Sequence, residues 1–329
     1  MTPPRFWSEP PGLRAALLAP LAALYAAGTA RRIAKASPWR APVPVISVGN
    51  LNAGGTGKTP VVMWLMEHLS AQGLTAHVVS RGYGGRVTGP HRVALTDTAA
   101  EVGDEPLLLA AFGPVWVSAD REKGARAAVD AGANCILLDD AHQNPGLEKD
   151  LSLVVVDALS GFGNGRVIPA GPLREPISVG LARADHLIVM GDPDDRARFL
   201  AKAELPDGLE SSEAHLAPLQ TGMAWEGMRV LAFAGIGRPE KVFATLEALG
   251  AILMRTRSFE DHAPYSATVL ARLEAEAKSL GAQLVTTEKD AVRLPADMRR
   301  KVLTLPVRLD LAGEAGLPAA VAAALGRPE

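Results

Sequence analysis

Residues 45–60 read VISVGNLNAGGTGKTP, in which a short apolar run is followed by a glycine-rich turn, a Lys-Thr pair and a proline that favours the start of a helix. Glycines in such a turn let successive backbone N–H groups point inward around phosphate oxygens. A lysine then reaches the β- and γ-phosphates, and a Ser or Thr hydroxyl binds Mg²⁺. The pattern predicts a P-loop, and an inert glycine-rich turn would leave Lys58 without a role. The predicted phosphate-binding residues are Asn52, Ala53, Gly54, Gly55, Thr56, Gly57, Lys58 and Thr59.

Asn52 stands where a P-loop usually has its first glycine. Asparagine is the non-glycine residue that best tolerates a positive φ angle. The turn is therefore still accessible with Asn52 at this position.

Beyond this loop, short apolar runs alternate with helical patterns such as residues 60–71 and 121–131. Short buried strands that alternate with amphipathic helices are typical of a mostly parallel sheet covered by helices on both faces. The sequence thus predicts an α/β fold of the P-loop NTPase type. The predicted strands are residues 45–48, 76–80, 115–117, 135–138, 153–156 and 186–190.

Residues 204–227 are polar, rich in Gly, Ser and Pro, and without a sustained apolar period, which is typical of a domain boundary. A second, smaller α/β pattern follows, with strands predicted at residues 230–234 and 283–286 and helices at 239–249 and 267–279. The predicted division is an N-terminal basic and apolar helical segment (1–40), a P-loop domain (41–220) and a smaller C-terminal α/β domain (221–329).

The composition is that of a folded protein in a reducing compartment. With 329 residues, of which 48% are apolar and 21% charged, the chain suits two domains of ordinary size. The single cysteine, Cys135, cannot form an intramolecular disulfide, which fits the cytosol. A net charge of −2 gives no reason to expect a nucleic acid partner.

The N-terminal segment is both basic and apolar. Residues 1–40 carry six bases and one acid, and residues 15–30 carry no charge, which is shorter than the ~20 residues that a membrane-spanning helix needs. Leucines at positions 13, 17, 21 and 24 recur at helical spacing, which predicts an amphipathic helix in the interface of an anionic membrane. The alternative is an alanine-rich helix packed on the protein's own core. A cleaved signal peptide would export a domain that needs cytosolic nucleotide.

Acidic residues end one predicted strand and open one predicted helix. Asp139 and Asp140 follow a buried strand, where carboxylates hold Mg²⁺ in P-loop proteins, although acids at strand ends also cap helices. Asp104, in Gly-Asp-Glu-Pro, is either a helix cap or the carboxylate that accepts the proton of an attacking hydroxyl. His262, far downstream, is either a surface histidine or a partner that orients or protonates that carboxylate.

Further motifs follow in order along the chain. They are VGNL (48–51), GGTGKTP (54–60), SRGYGG (80–85), GDEP (103–106), LDD (138–140), PAGPLRE (169–175), AFAGIG (232–237), DH (261–262) and TTEKD (286–290). This ordered set resembles the tetraacyldisaccharide 4'-kinase family of lipid A biosynthesis over nearly the whole chain. An ordered set of this size is far more specific than any one motif.

The resemblance implies an ATP-dependent kinase that phosphorylates the 4'-hydroxyl of a tetraacylated glucosamine disaccharide 1-phosphate. It also implies Mg²⁺ as cofactor, a membrane-embedded glycolipid substrate, and a peripheral position on the cytoplasmic face of the inner membrane. By the same resemblance Asp104 is the catalytic base, His262 assists it, and Lys58 serves the transferred phosphate.

The remaining site residues are also assigned by resemblance. Arg121 and Arg174 are expected to face the phosphates, and Arg81 and Tyr83 to lie beside the lipid head group. The expected metal residues are Thr59, Asp139, Asp140 and Glu175.

One motif departs from the family. Where the family usually reads Asp-Asp-Gly-Phe-Gln-His, residues 139–144 read Asp-Asp-Ala-His-Gln-Asn. Asn144 exchanges hydrogen bonds but carries no proton near neutral pH, so a role of the family's final imidazole is not expected to transfer to this chain.

Two other classes of protein use a loop of this kind. A P-loop GTPase or ATPase switch, or a metallochaperone, would use its nucleotide state to control a partner. The sequence lacks the Asn-Lys-x-Asp guanine signature, since Lys and Asp are adjacent in residues 287–290. A cytosolic small-molecule ligase would keep the N-terminal helix as a purely structural element.

Overall fold

The structure is a computed structural model that describes residues 4–261, 263–313 and 316–326. Within these ranges the strands form one sheet of nine strands and one of four. The strands are β1 Val45–Gly49, β2 Ala76–Ser80, β3 His91–Arg92, β4 Val115–Val117, β5 Cys135–Asp139, β6 Leu151–Asp157, β7 His186–Met190, β8 Glu210–Pro218, β9 Arg229–Ala234, β10 Ile252–Ser258, β11 Gln283–Thr287, β12 Val302–Leu305 and β13 Val307–Leu311.

Helices connect most of these strands, and a short 3₁₀ turn, Arg5–Trp7, precedes the first of them. The helices are α1 Leu13–Ala34, α2 Lys58–Ala71, α3 Ala99–Val102, α4 Asp104–Leu109, α5 Arg121–Asp130, α6 Ile177–Leu181, α7 Pro193–Leu200, α8 Pro239–Ala248, α9 Ala267–Leu280, α10 Glu288–Ala291, α11 Ala296–Arg299 and α12 Leu317–Ala324.

The larger sheet has the order β13-β8-β7-β6-β1-β5-β2-β4-β3. It is parallel except at its edges, where β13 and β3 run antiparallel to β8 and β4. Ile46 packs with α2, α4 and α12 on one face, and Ile136 packs with α5 on the other. Strands buried on both faces read as continuous apolar runs, which is the pattern in the sequence. The predicted α/β fold with a mostly parallel, doubly covered sheet is confirmed.

The smaller sheet is parallel throughout and has the order β10-β9-β11-β12. Residues of β9 alternate between its two faces. Phe233 packs with Leu270 of α9, and Val230 packs with Leu246 of α8. The predicted second α/β unit is therefore present.

The polar residues 204–227 contain a strand that their composition does not predict. The inward-facing residues of β8 include Ser212 and Ala214, which are too small to form an apolar period. The Ser212 hydroxyl accepts a hydrogen bond from the backbone N–H of Leu317, at 2.9 Å. Burial of β8 thus depends on α12, which lies about a hundred residues later in the chain.

The chain returns to the larger sheet at its end. Val307 of β13 lies opposite Pro218 of β8, and Leu317 and Val321 of α12 are buried in the core of the larger sheet. The predicted range 221–329 for the smaller domain, like the limits at residues 40 and 220, stays a prediction. Strand β13 pairs with β8 of the larger sheet, and α12 packs in the core of that sheet.

Helix α1 lies on the surface with two different faces. Ala15, Ala22 and Thr29 are buried against the body of the protein, whereas the four leucines at 13, 17, 21 and 24 are 55–77% exposed. Because the helix extends over the arginines at both ends of the uncharged stretch, it has 22 residues. In the described residues it is the one helix long and apolar enough to cross a membrane, by length and composition alone.

Candidate active site

The loop between β1 and α2 has the backbone of a phosphate cradle. Gly54 and Gly57 have φ angles of 137° and 90°, and residues with a Cβ atom rarely adopt such angles. A Cβ at Gly57 would also lie 3.3 Å from the Cε atom of Met190. Lys58 begins α2, so the positive end of the helix dipole and its first N–H groups face the loop.

Asn52 does not use the positive φ angle that its residue type tolerates. Within the described residues, Asp140 is the one non-glycine residue with a positive φ. Asn52 instead forms an antiparallel bridge with Leu173, and its Nδ2 donates to the carbonyl oxygen of Gly161 at 2.9 Å. The start of the loop is extended because Ala53 N also donates to Pro172 O, at 2.7 Å.

Two cations meet one carboxylate at the mouth of the loop. The Nζ atom of Lys58 lies 3.5 Å from Oδ1 of Asp140, and Arg174 donates to both Asp140 oxygens, at 2.9 and 3.1 Å. Burial favours the protonated form of Asp140, but the charges of Lys58 and Arg174 prevail and hold its pKa below the usual value. Asp140 is therefore a carboxylate at neutral pH. A positively charged loop mouth with one counter-charge suits a phosphate chain.

Asp139 is buried beside Asp140, at the end of β5. The Ser80 hydroxyl at the end of β2 donates to Oδ2 of Asp139 at 2.9 Å. Burial raises the pKa of Asp139 to about 6, and the charges of Glu105 and Asp140 add to the effect. Its Oδ1 atom is buried and has no hydrogen-bond partner among the described residues, and the same holds for the Thr56 hydroxyl.

These acids fit a divalent cation that is shared with phosphates. The described residues contain no group of three or more His, Cys, Asp or Glu side chains that could hold a metal alone. Mg²⁺ in phosphoryl-transfer sites takes one or two carboxylates and fills its shell with phosphate oxygens and water. A buried carboxylate oxygen at Asp139 and the ionised Asp140 next to it meet that requirement.

Glu175, the fourth predicted metal residue, is engaged elsewhere. It is 2% exposed, and its two oxygens accept from Arg183 at 2.8 and 2.7 Å. Gln143 donates to the same carboxylate at 2.9 Å. Its role at the metal stays a prediction that these contacts do not favour.

Arg121 is buried behind the acidic pair. Its guanidinium donates to the carbonyl oxygens of Ser118 and Asp139, at 3.2 and 2.9 Å. Burial lowers its pKa, although the nearby carboxylates of Asp139 and Asp140 oppose this. The contacts fix the end of β5, and the predicted contact of Arg121 with phosphate stays a prediction.

Asp104 is buried at the first position of α4, and its Oδ1 accepts from the N–H of Glu105 at 3.0 Å. The helix cap is Gly103, not Asp104, so the cap reading of this aspartate is wrong in its detail. The neighbouring loop packs directly on this backbone. A Cβ at Gly85 would lie 2.5 Å from Glu101 O, and one at Gly103 would lie 2.8 Å from Tyr83 O. The glycines of SRGYGG therefore let that loop approach Asp104.

Arg81 and Tyr83 extend from the same loop into solvent, where Tyr83 is 78% exposed. The loop packs on residues 101–103. This packing brings both predicted head-group residues next to the predicted base. Their contact with a lipid stays a prediction.

The smaller sheet faces Asp104 through a charged contact. Lys289 of α10 lies 3.2 Å from Oε1 of Glu105 and 4.0 Å from Oδ1 of Asp261. His262, the predicted assistant of Asp104, lies outside the described residues. Ala263, which follows it, accepts from Arg293 at 3.0 Å.

The TTEKD motif, to which the sequence assigned no role, makes contacts with both the smaller unit and the larger one. Thr287 caps α10, and Glu288 accepts from Arg308 of β13 at 2.8 Å. Lys289 contacts α4, and Asp290 is fully buried. The available signal was a run of three charged residues placed directly after a strand.

The departing motif has a structural explanation at His142. The ring is 2% exposed, its Nε2 donates to Gly180 O at 2.9 Å, and burial lowers its pKa to about 4. Asn144 accepts from Gly146 N at 3.0 Å. His142 is therefore a neutral core residue, and Asn144 shapes a turn.

A parallel sheet with a P-loop after its central strand, carboxylates at the end of the adjacent strand, and a buried aspartate opening a helix nearby define a P-loop phosphotransferase. Residues 14–326 match the family described as LpxK, tetraacyldisaccharide-1-P 4'-kinase. The chain belongs to this family.

Relatives and a solved structure agree with this assignment. Over 326 residues the chain is 61% identical to a tetraacyldisaccharide 4'-kinase of Dinoroseobacter shibae, with 98% of this chain and 97% of that protein covered. A tetraacyldisaccharide 4'-kinase of Jannaschia sp. is 54% identical over 328 residues, with 99% and 100% covered. A crystal structure of "apo" form LpxK from Aquifex aeolicus in complex with ATP superposes with a TM-score of 0.76 at 28% identity, covering 95% of this chain and 100% of that one.

The family predicted from the motifs is thereby confirmed, and with it the prediction that the chain is a kinase of lipid A biosynthesis. The alternatives of a nucleotide-dependent switch, a metallochaperone and a small-molecule ligase receive no support.

Proposed function

We propose that this chain transfers the γ-phosphoryl group of ATP to the 4'-hydroxyl of a tetraacylated glucosamine disaccharide 1-phosphate at a membrane surface. The observation that carries the proposal is the meeting of Lys58, Arg174 and Asp140 at the mouth of the P-loop. The names of the relatives, and the ATP in the Aquifex aeolicus structure, support the donor and the acceptor.

The P-loop residues hold the triphosphate. Backbone N–H groups of residues 54–59 bind its oxygens, and Lys58 moves its Nζ from Asp140 to the β- and γ-phosphates. Arg174 likewise turns from Asp140 to the phosphates. Arg121 holds the end of β5 in place through its bond to the carbonyl oxygen of Asp139. The loop thus stabilises the negative charge that is spread over the phosphate oxygens in the transition state.

Asp104 accepts the proton. The acceptor's oxygen forms a bond to the γ-phosphorus as the bond from that phosphorus to the β–γ bridging oxygen breaks, and ADP leaves with the electron pair. The proton of the hydroxyl goes to the Asp104 carboxylate, which His262 orients or relieves. Glycine packing holds Asp104 next to Arg81 and Tyr83, where a sugar head group would lie.

Asp139, Asp140 and the Thr59 hydroxyl hold Mg²⁺ in this proposal, with Glu175 left to its pairing with Arg183. When bound, the ion neutralises charge on the β- and γ-phosphates. Ser80 keeps the buried Asp139 carboxylate turned toward the site through its 2.9 Å hydrogen bond.

Helix α1 places the enzyme on the membrane. Its exposed leucine face enters the interface of the inner membrane on the cytoplasmic side, and Arg14, Arg31 and Arg32 contact anionic head groups. The acyl chains of the acceptor stay in the bilayer while its 4'-hydroxyl reaches Asp104. We propose a peripheral position on this surface.

The test is transfer of labelled phosphate from ATP to the purified disaccharide 1-phosphate lipid, with the labelled position then located. Asp104→Asn is expected to lower kcat by about 10²- to 10⁴-fold with little change in the KM for ATP, because it removes the base but no phosphate contact. Lys58→Ala is expected to lower kcat by about 10²- to 10³-fold through loss of transition-state charge.

The matched control is Asp207→Asn, which changes an exposed aspartate in a turn and should leave both constants unchanged. A label at any position other than the 4'-oxygen would contradict the proposed reaction. Wild-type kcat in Asp104→Asn would contradict the proposed base and leave the P-loop assignment standing.

A further inference from the structure

Helix α10 is anchored inside the smaller α/β unit by one buried side chain. Asp290 is 0% exposed and accepts from Gly235 N at 3.1 and 3.2 Å, from Tyr265 OH at 2.8 Å and from the Thr287 hydroxyl at 2.6 Å. Arg293 forms an ion pair with the same carboxylate. A buried carboxylate with this many donors gives α10 a fixed position on the smaller sheet.

The next residue toward the N-terminus points out of that unit. Lys289 reaches α4 of the larger unit, where its Nζ lies 3.2 Å from Glu105 Oε1, and Asp261 of the smaller unit lies 4.0 Å away. Its side chain is 23% exposed. Burial opposes the charged form of Lys289, but the carboxylates of Glu105, Asp104 and Asp261 prevail and raise its pKa above the usual value. Lys289 is therefore an ammonium ion over the whole working pH range.

The position of this ammonium matters because three carboxylates converge there. Asp104, Glu105 and Asp261 all interact electrostatically with Lys289, and the charge of Glu105 also acts on Asp139 of the nucleotide site. Like charges without a cation between them repel one another. A rigid helix that delivers one positive charge to this place counters that repulsion.

We propose that Lys289 is a positioning residue for phosphoryl transfer: held by α10, its ammonium fixes the start of α4 across the gap between the two sheets, and so holds Asp104 in line with the acceptor hydroxyl. This inference rests on the proposed role of Asp104 as the base. Lys289 acts through Glu105 and Asp104, and it does not touch the reacting atoms.

The effect of the positive charge of Lys289 can be separated from the effect of its side-chain volume by substitution. Lys289→Met keeps most of the side-chain volume and removes the charge, whereas Lys289→Arg keeps the charge. Misplacement of a catalytic group by about 1 Å lowers the rate on the order of 10²-fold. We expect kcat of Lys289→Met to fall about 10- to 100-fold with the KM for ATP nearly unchanged, and Lys289→Arg to recover most of the loss.

The matched control is Lys301→Met, which removes another lysine of the smaller unit from an exposed ion pair with Glu274, 2.6 Å long. It should leave kcat unchanged, since exposed pairs contribute little. Thermal unfolding of each variant shows whether the fold is retained.

Glu105→Gln provides a second, independent measurement. If Lys289 acts through Glu105, the single changes are not additive, and Glu105→Gln costs clearly less kcat in the Lys289→Met background than in wild type. Additive effects, or a Lys289→Arg variant as slow as Lys289→Met, would overturn the proposal even if the methionine variant were poorly folded.

Asp104→Asn separates this inference from the proposed function. If Asp104→Asn lowers kcat and Lys289→Met leaves it at the wild-type value, only the role of Lys289 is overturned. If Asp104→Asn leaves kcat at the wild-type value, Asp104 is not the base, and the inference about Lys289 fails with that role.

Discussion

Asp140 adopts a left-handed backbone conformation, with φ at 48°, immediately after β5. Such a conformation costs a non-glycine residue on the order of 1–3 kcal/mol and persists where surrounding contacts hold it. Here the contacts are the two bonds from Arg174 and the ion pair with Lys58. The backbone of Asp140 thus turns its carboxylate toward the P-loop, while the carboxylate of Asp139 before it accepts a hydrogen bond from the Ser80 hydroxyl.

His142 makes stability depend on pH. Its pKa is lowered to about 4 by burial, against an ordinary value of 6.5 in an unfolded chain. Between these values the unfolded chain binds a proton that the folded protein does not, so its contribution to stability is intact above pH 6.5 and is lost as pH falls toward 4. When the pH is lowered from 7.5 to 5, the free energy of unfolding should fall by about 2 kcal/mol less in His142→Phe than in wild type.

Urea unfolding at the two pH values measures this difference. The comparison uses the change with pH, because loss of the hydrogen bond to Gly180 O shifts stability at both values. His215→Phe, at a half-exposed position, is the matched control. Equal pH dependence in wild type and His142→Phe would contradict the neutral, buried state of His142.

At the residue scale the sequence predicted which side chains line the loop but not all of their contacts. Lys58, Asp140 and Arg174 come from three motifs, and the structure brings them together because β1 and β5 are adjacent parallel strands. The conformation of Asn52 was not predictable from its own tolerance for a positive φ, because its bridge with Leu173 decides it. The pairing of Glu175 with Arg183 likewise depends on where α6 ends.

Helix α1 presents leucines where a soluble helix usually has polar residues. Each leucine moved from water into an apolar phase contributes on the order of 1.5–3 kcal/mol. Replacing all four leucines at positions 13, 17, 21 and 24 by glutamine should abolish co-sedimentation with anionic lipid vesicles, since their side chains are 55–77% exposed and contribute little to the fold.

The matched control replaces four other exposed leucines, at positions 95, 159, 216 and 219, by glutamine. These side chains do not share one helical face, so vesicle binding should persist. Unchanged co-sedimentation of the α1 variant would contradict membrane binding through this helix.

At the element scale, the strands that read as continuous apolar runs were predicted, and β3, β8, β10, β12 and β13 were not. The buried positions of β8 include Ser212 and Ala214, and Ser212 is hydrogen-bonded to the start of α12. The short α10 shows the same limit, because its function depends on what Asp290 and Lys289 contact in two different units. Local patterns carry no information about such distant partners.

Segments that lie far apart in the chain share one core in the larger sheet. Leu317 of α12 is fully buried there together with Ile46 and Val61. Leu317→Ala should lower the free energy of unfolding by about 2–5 kcal/mol, because it leaves a cavity in a close-packed core. Leu159→Ala, at a position 59% exposed, is the matched control and should change stability by less than about 0.5 kcal/mol.

Urea unfolding followed by circular dichroism measures both variants. Limited proteolysis then shows which sheet opens first in Leu317→Ala. Cleavage confined to residues 229–305 would contradict the assignment of α12 to the larger sheet.

At the scale of the molecule, the alternation of strands and helices predicted both sheets, because burial on two faces imposes a pattern that the sequence displays. Several contacts between the units were not predictable, because charged residues from distant parts of the chain make them. Arg238 pairs with Asp157, and Lys241 lies 3.1 Å from Asp192. Charged residues of this kind read as ordinary surface until the fold places their partners.

The antiparallel pairing of β13 with β8 has a consequence for biosynthesis. A ribosome delivers β8 long before β13, so β8 waits as an unpaired edge while the intervening residues 219–306 emerge. The smaller unit can complete its own strands during translation, since they are contiguous in the chain. The nucleotide-binding half can close its hydrogen-bond ladder only after β13 has left the ribosome, which couples maturation of the enzyme to synthesis of the smaller unit that precedes β13.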